Sequence, residues 1–330
     1  MSVWVLVDDR IGSNNQSIAI AEQLSKNFVI KNIKYNCFIK IPNFIRQNSL
    51  LGIDLKNSDN IFEDLPDIVI CAGRRLSSIA LNIKKRNNNK TFIINIMDPN
   101  LNYTKFDLVI LPKHDCINKK YENIIETYGS LNRINKDKIE SEIKIWENKF
   151  VNYKRSIISF IIGGDTKNYN FDLDNFKKAF ENIINIVKNM DGFLCISSSR
   201  RTSQNCINII KNTITKYKFD KNCYFYNWRD ENGNNNPYYA LLGVSDFIIT
   251  TADSMSMISE SCSTGKPVYV YIPNTNLSKK HFRFYKDMLN NNYIKEFNKD
   301  TSKLEKYSYT PLNEVLRVVK IIKNKYKGNL

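Results

Sequence analysis

The chain has 330 residues and 42% hydrophobic content, more than one core usually organises, so two domains of ordinary size are expected. A formal charge of +16 favours anionic partners, a phosphate ligand or an acidic membrane surface, while the dispersal of the basic residues and the lack of any recognised binding module set nucleic acid aside. Two histidines, no CxxC pair and no apolar run near the span of about 20 residues argue against a structural zinc site and a membrane-crossing helix.

The seven cysteines, Cys37, Cys71, Cys116, Cys195, Cys206, Cys223 and Cys262, are scattered and read as reduced core positions. The chain opens directly on a strand-like segment without a charged leader, so no signal or transit peptide is expected. The expected location is cytoplasmic, with a peripheral membrane contact as a further expectation.

In chain order, residues 3–7 predict a strand, 16–26 a helix, 28–35, 68–71, 91–97 and 108–111 further strands, and 76–86 a helix. Such alternation implies a parallel sheet covered on both faces, with ligand-facing loops at the carboxyl ends of the strands. Those loops carry Asp8 and Asp9 with Gly12, Asn14 and Gln16, then Gly73 and Arg74, then Asp98, then His114 and Asp115. Asp8, Asp9, His114 and Asp115 are the titratable candidates for a general base. Residues 37–53 mix Phe38, Phe44 and Ile45 with Lys40 and Arg46, and read either as a loop tucked against its domain or as a membrane-facing or acceptor-facing element.

Residues 135–154 form a charged helical connector, and 157–162 open a second sheet that ends in Gly163-Gly164-Asp165. Adjacent glycines let backbone approach a ligand or simply make a tight turn. Asp172-Leu173-Asp174 matches a DxD metal signature, but its place before the helix 176–188 makes it N-capping chemistry. After the strand 192–198, Ser199-Arg200-Arg201-Thr202 forms a candidate diphosphate clamp, in which one arginine could instead pair with a carboxylate across an interdomain cleft. Asn236-Pro237-Tyr238 follows the strand 223–226 and opens a short helix.

The strand 246–250 then runs into Thr251, Asp253 and Ser254, with a helix to Thr264 whose Met257 and Cys262 face the sheet. Glu260 falls two turns into that helix, and its carboxylate can accept both hydroxyls of a ribose diol. Residues 311–326 form an amphipathic tail with Leu312, Val315, Leu316, Val319 and Ile322 on one face.

Ser259-Glu260 followed by residues 262–268 resembles the donor-binding element of GT-B glycosyltransferases. A closer resemblance, to the mitochondrial-fission Elm family, rests on Gly12-Ser13-Asn14-Asn15-Gln16, Gly73-Arg74-Arg75, Asp98-Pro99, Phe106-Asp107 and Pro112-Lys113-His114-Asp115. It continues through Gly163-Gly164-Asp165, Ser199-Arg200-Arg201-Thr202, Asn236-Pro237-Tyr238, and Thr251-Ala252-Asp253-Ser254 with Ser256-Met257.

The resemblance implies an α/β, GT-B-like architecture of two Rossmann-like parallel-sheet domains facing a cleft. Residues 1–150 would be the acceptor side, 151–310 the donor side, and 311–330 a helix crossing back to the first domain. It also implies a metal-independent glycosyltransferase acting on a membrane-associated, lipid-linked or cell-envelope acceptor, with a UDP-type nucleotide sugar as substrate and no cofactor. Glu260 would hold the ribose, Thr251 to Ser256 the phosphates, Arg200 or Arg201 the leaving diphosphate, and Asn236 to Tyr238 the base pocket. Rival expectations are a non-catalytic membrane-surface adapter in organelle or cell division, and a nucleotide-sugar epimerase on the same fold. An NAD-dependent enzyme is disfavoured because neither glycine-bearing loop reads GxGxxG.

Overall fold

The computed structural model describes residues 1–115, 121–150, 155–166, 169–273 and 277–326, and these fall into two compact units. Met1–Arg133 with Asn313–Leu330 form the first, and Ile134–Leu312 the second. Cys116 and residues 151–154, where the domain boundary was expected, lie outside the described residues.

The first unit contains β1 (Val3–Val7), α1 (Ile11–Leu24), β2 (Phe28–Asn32), α2 (Asn43–Arg46), β3 (Ile68–Ala72), α3 (Arg74–Arg86), β4 (Phe92–Ile96), β5 (Leu108–Pro112) and β6 (Ile124–Thr127). The second begins with α4 (Lys136–Phe150), β7 (Ile157–Ile161), α5 (Leu173–Asn189), β8 (Phe193–Ser197), α6 (Gln204–Lys216), β9 (Cys223–Tyr226) and α7 (Trp228–Glu231). It continues with α8 (Tyr238–Val244), β10 (Phe247–Thr251), α9 (Met255–Ser263), β11 (Val268–Tyr271), α10 (Lys279–Asn290) and β12 (Lys295–Phe297). The last helix, α11 (Glu314–Lys325), belongs to the first unit and packs on α1. The charged stretch expected as a connector is α4, which packs on α8 and so belongs to the second unit.

Both sheets are six-stranded and parallel, in the orders β2-β1-β3-β4-β5-β6 and β12-β11-β10-β7-β8-β9. Helices on both faces explain why the central strands are continuous apolar runs. Along β1, Val3, Val5 and Val7 join Ile20, Val318 and Ile322 on one face, while Trp4 and Leu6 join Leu76, Ile79 and Ile83 on the other. Along β7, Ile158 and Phe160 pack with Phe176 and Phe180, and Ile157 and Ile161 with Leu241, Ile258 and Phe284. Each fully buried aliphatic or aromatic side chain of this kind contributes about 1.5–3 kcal/mol.

Strand order reverses direction between β1 and β3 in the first sheet and between β7 and β10 in the second. In an open parallel sheet, ligands bind outside the carboxyl ends of the strands at such a switch point.

Local differences from the sequence expectations have local causes. Helix α1 begins at Ile11, so Gly12, Asn14 and Gln16 lie on its first turns and not in a loop. The Asn14 amide closes that turn by donating to the Asp8 carbonyl at 2.6 Å and accepting the Asp8 N–H at 3.1 Å. On α11, Leu316 points outward at 52% exposed and Val318 takes its place, because 3.6 residues per turn puts 315, 318, 319 and 322 on one stripe. Asp172 caps α5 by accepting from the N–H groups of Asp174 and Asn175, the capping role read from the sequence.

Candidate functional site

At the switch point of the second sheet, the β7 and β10 loops meet in direct contact. Gly163 N–H donates to Thr251 Oγ1 and Gly164 N–H to Asp253 Oδ2, both at 2.9 Å. A Cβ on Gly163 would lie 2.1 Å from the Asp253 carboxylate, and one on Gly164 would lie 2.2 Å from the Arg201 backbone, with φ at +155°. These glycines are therefore required by close approach, not by a tight turn. The β8 loop adds Ser199 and Thr202, whose hydroxyls donate to the Gly163 carbonyl at 2.5 and 2.6 Å.

The two adjacent arginines separate cleanly. Arg201 donates to Asp253 Oδ2 at 2.9 Å and to the Gly164 carbonyl at 3.0 Å, so its fork ties the β7, β8 and β10 loops together. Arg200 is exposed and forms no ion pair or hydrogen bond among the described residues. Asp253 itself is buried, and its Oδ1 has no hydrogen-bond partner among the described residues. Burial pushes its pKa up, against the pull of Thr251, Arg201 and the Gly164 N–H.

Helix α9 starts here, with the Ser254 hydroxyl capping Met257 N–H at 3.4 Å and Ser256 exposed in the first turn. Met257 packs against the core, as the sequence reading placed it. Glu260 lies one turn further, partly buried, and accepts the Tyr238 hydroxyl at 2.6 Å. Dense surroundings push the Glu260 pKa up to about 7, partly offset by that hydrogen bond. Tyr238 is positioned by Pro237, the N-cap of α8, and by Asn236, whose Oδ1 accepts the Tyr238 N–H at 3.1 Å. Asn236 and Tyr238 thus form one chain of contacts with Glu260, which lies 22 residues beyond Tyr238 in the sequence.

Sequence reasoning missed His281. It sits partly buried in the first turn of α10, near Asp253, with its Nδ1 2.7 Å from the Ser278 hydroxyl. Burial lowers its pKa, opposed by the Asp253 charge and reinforced by Lys280 and Arg201. A signal was present: Ser278 is an N-cap residue three before His281, ahead of Phe284, Tyr285 and Met288 at helical spacing.

In the first unit, the Asp8 carboxylate receives Arg10 Nη2 at 2.7 Å and Nε at 3.0 Å, and the Tyr35 hydroxyl at 3.0 Å, with no side-chain exposure. Burial opposes ionisation, but these bonds hold its pKa below the usual carboxylate range. A carboxylate so occupied anchors its loop and is a weak base. Arg10 reaches on to the Ala72 carbonyl at 3.3 Å, and Gly73 at φ +74° leaves room for that guanidinium. Asp9 is exposed and pairs with Arg75 at 2.7 Å. Asp98 is exposed, accepting the Asn100 N–H at 2.8 Å and the Tyr103 hydroxyl at 3.2 Å. His114 is buried and Asp115 partly so, in the turn after β5.

Residues 37–53 divide between the two readings. Asn43 is buried and donates to the carbonyls of Arg74 and Pro99 at 2.6 and 2.7 Å, which packs the segment on α3. Arg46, which the membrane-facing reading would put at the surface, is only 1% exposed and bonds to Ile41 O and Asn43 Oδ1. Phe38, Phe44 and Ile45 remain exposed at 50%, 69% and 59%.

Residues 11–326 match the family model described as Mitochondrial fission ELM1. The uncharacterized protein RP120 of Rickettsia prowazekii (strain Madrid E) is 34% identical over 100% of this chain and 99% of its own length. Mitochondrial fission protein ELM1 of Arabidopsis thaliana is 27% identical over 81% of this chain and 66% of its own length. Among solved structures, the UDP-GlcNAc 2-epimerase of Methanocaldococcus jannaschii is similar with a TM-score of 0.56 at 13% identity, covering 98% of this chain and 100% of that one. The same enzyme in complex with UDP-GlcNAc and UDP gives a TM-score of 0.50 at 14% identity, covering 98% and 100%. At such identities the likeness concerns the fold, which is GT-B-like with two Rossmann-like domains. With the family match covering nearly its whole length, the chain belongs to the mitochondrial fission ELM1 family.

Proposed function

We propose that this protein is a metal-independent glycosyltransferase that takes a nucleoside diphosphate sugar in its second unit. The acceptor, on this reading, is carried at a membrane and handled by the first unit. The observation that carries the proposal is the meeting at one switch point of the elements that bear a partly buried carboxylate, Glu260, a guanidinium without ion pair or hydrogen bond among the described residues, Arg200, and the capped N-terminus of α9. A ribose diol needs the first, and a leaving diphosphate needs the other two. The ligands named in the structures of the M. jannaschii enzyme, UDP-GlcNAc and UDP, have the chemistry this grouping suits.

Calorimetry with UDP, GDP and CMP, without magnesium, tests the reading. Glu260→Ala is expected to weaken the preferred nucleotide by about 1.5–3 kcal/mol, roughly ten- to a hundredfold. Equal affinity for the variant and the parent would remove Glu260 from the site. A second reading, a non-catalytic surface protein in division, draws on the name of the Arabidopsis relative and on the exposed Phe38, Phe44 and Ile45. Binding of no nucleotide would favour it.

A further inference from the structure

Outside the nucleotide site, a cavity of about 380 Å³ opens beside the switch point of the first sheet, lined by Asp9, Tyr35, Lys34, Lys40, Arg74 and Arg75 among others. Its volume lies at the lower end of the range for small-molecule pockets. Its charge is unbalanced. Arg75 is neutralised by Asp9 at 2.7 Å and lies over the Tyr35 ring at 5.4 Å. The side chains of Lys34, Lys40 and Arg74 have no ion pair or hydrogen bond among the described residues.

Three uncompensated cations around one cavity repel each other, and two further features raise the positive potential. Arg74 and Arg75 are the first two residues of α3, whose first turn has no acidic residue, so both sit at the positive end of the helix dipole, where an anion is preferred. Arg46 is buried next to Arg74 and, among the described residues, has no carboxylate partner and one guanidinium nitrogen without a hydrogen bond. Burial and the Arg74 charge both lower the Arg46 pKa. The Tyr35 hydroxyl is committed to Asp8, and the Asn36 side chain to the Phe38 N–H and the Ile53 carbonyl, so the remaining polar chemistry of the cavity is cationic.

We propose that this cavity binds a phosphoryl group, a phosphomonoester or diphosphate, through Lys34, Lys40 and Arg74. A guanidinium fork and two ammonium groups match a dianion with three or more acceptor oxygens better than a single carboxylate. The proposal deepens the reading above, since it names the acceptor as a phosphorylated compound, and it rests on that reading only for the word acceptor. Exposed Phe38 and Phe44, close in sequence to Lys40, suit a phosphate that arrives on a lipid; a soluble phosphate has the same headgroup chemistry.

The test uses the full chain. Calorimetry with inorganic pyrophosphate compares the parent, Lys34→Gln with Arg74→Gln, Lys40→Gln alone, and a control that removes the same charge from α6, Lys211→Gln with Lys216→Gln. Melting curves confirm folding. The expected result is an affinity loss of tenfold or more for the cavity pair, a smaller loss for Lys40→Gln and none for the control. Pyrophosphate captured by the second unit would be insensitive to the cavity pair, so equal affinity for all four proteins overturns the proposal. Cosedimentation with phosphatidylcholine vesicles containing phosphatidic acid, against vesicles charge-matched with phosphatidylglycerol, separates the sources. Preference for the monoester lipid, lost in the cavity pair, assigns the group to a lipid; pyrophosphate binding without that preference assigns it to a soluble ligand. Nucleotide binding that fails in Glu260→Ala but survives in the cavity pair separates this site from the nucleotide reading.

Discussion

At the switch point of the first sheet, Lys34, Lys40 and Arg74 face a cavity whose carboxylate, Asp9, is already paired with Arg75, while at that of the second sheet Arg201 is bound to a buried Asp253 and to the Gly164 carbonyl. The same position in two related folds has been filled in opposite ways. In the second unit, charge is consumed inside the protein and holds three loops in register, and the proposed ligand chemistry falls to Glu260, Arg200 and the N-terminus of α9. In the first, Asp8 and Arg10 do the holding and charge is left over. Basic residues at strand ends therefore have two separate duties, and exposure together with partner count tells them apart.

The sharpest way to break the comparison is to remove one arginine of the adjacent pair. Arg201→Ala leaves the buried Asp253 carboxylate uncompensated and is expected to cost about 3 kcal/mol of stability. Arg200→Ala should leave melting within about 0.5 kcal/mol of the parent and lose diphosphate affinity instead. Thermal melting and calorimetry on both variants check this, and equal melting losses would erase the distinction.

The pH dependence sharpens the account of the second unit. The folded pKa of Glu260, about 7, lies above its unfolded value, so the native state binds more protons than the unfolded state between about 4.5 and 7. The stability this contributes is complete below pH 4.5 and is lost as pH rises through 7, by about 1–3 kcal/mol. Glu260→Gln should flatten that part of the stability profile. A ribose diol donates to the ionised carboxylate, so nucleotide affinity should rise from pH 6 to pH 8 in the parent more than in Glu260→Gln. Parallel profiles for the two proteins would contradict this.

The smallest effect contrasts the glycines. A Cβ on Gly12 meets nothing within 4 Å, whereas those on Gly163 and Gly164 would collide. Gly12→Ala, on the first turn of α1, is expected to stabilise by about 0.5–1 kcal/mol. A gain in melting temperature accompanied by lost activity would mark Gly12 as a place where a ligand approaches the backbone.

Much of this protein was legible in its sequence because the relevant forces act over short range. Apolar runs such as Val3–Val7 and Phe247–Thr251 predict buried parallel strands, Asp172 and Ser254 predict helix starts through their own side chains, and strand alternation places the candidate loops at carboxyl ends. Glu260 and the Gly163-Gly164 pair could be singled out on the same basis. What the sequence could not decide was which loops touch, since that follows from strand order and register between segments such as the β7 and β10 loops, 89 residues apart. Only the tertiary structure separates Arg201 from Arg200, turns Arg46 inward, joins Tyr238 to Glu260 and brings His281 against Asp253. It alone collects Lys34, Lys40 and Arg74 around one cavity, because a charge acquires its role from the neighbours that neutralise it or fail to, and those neighbours are distant in the chain.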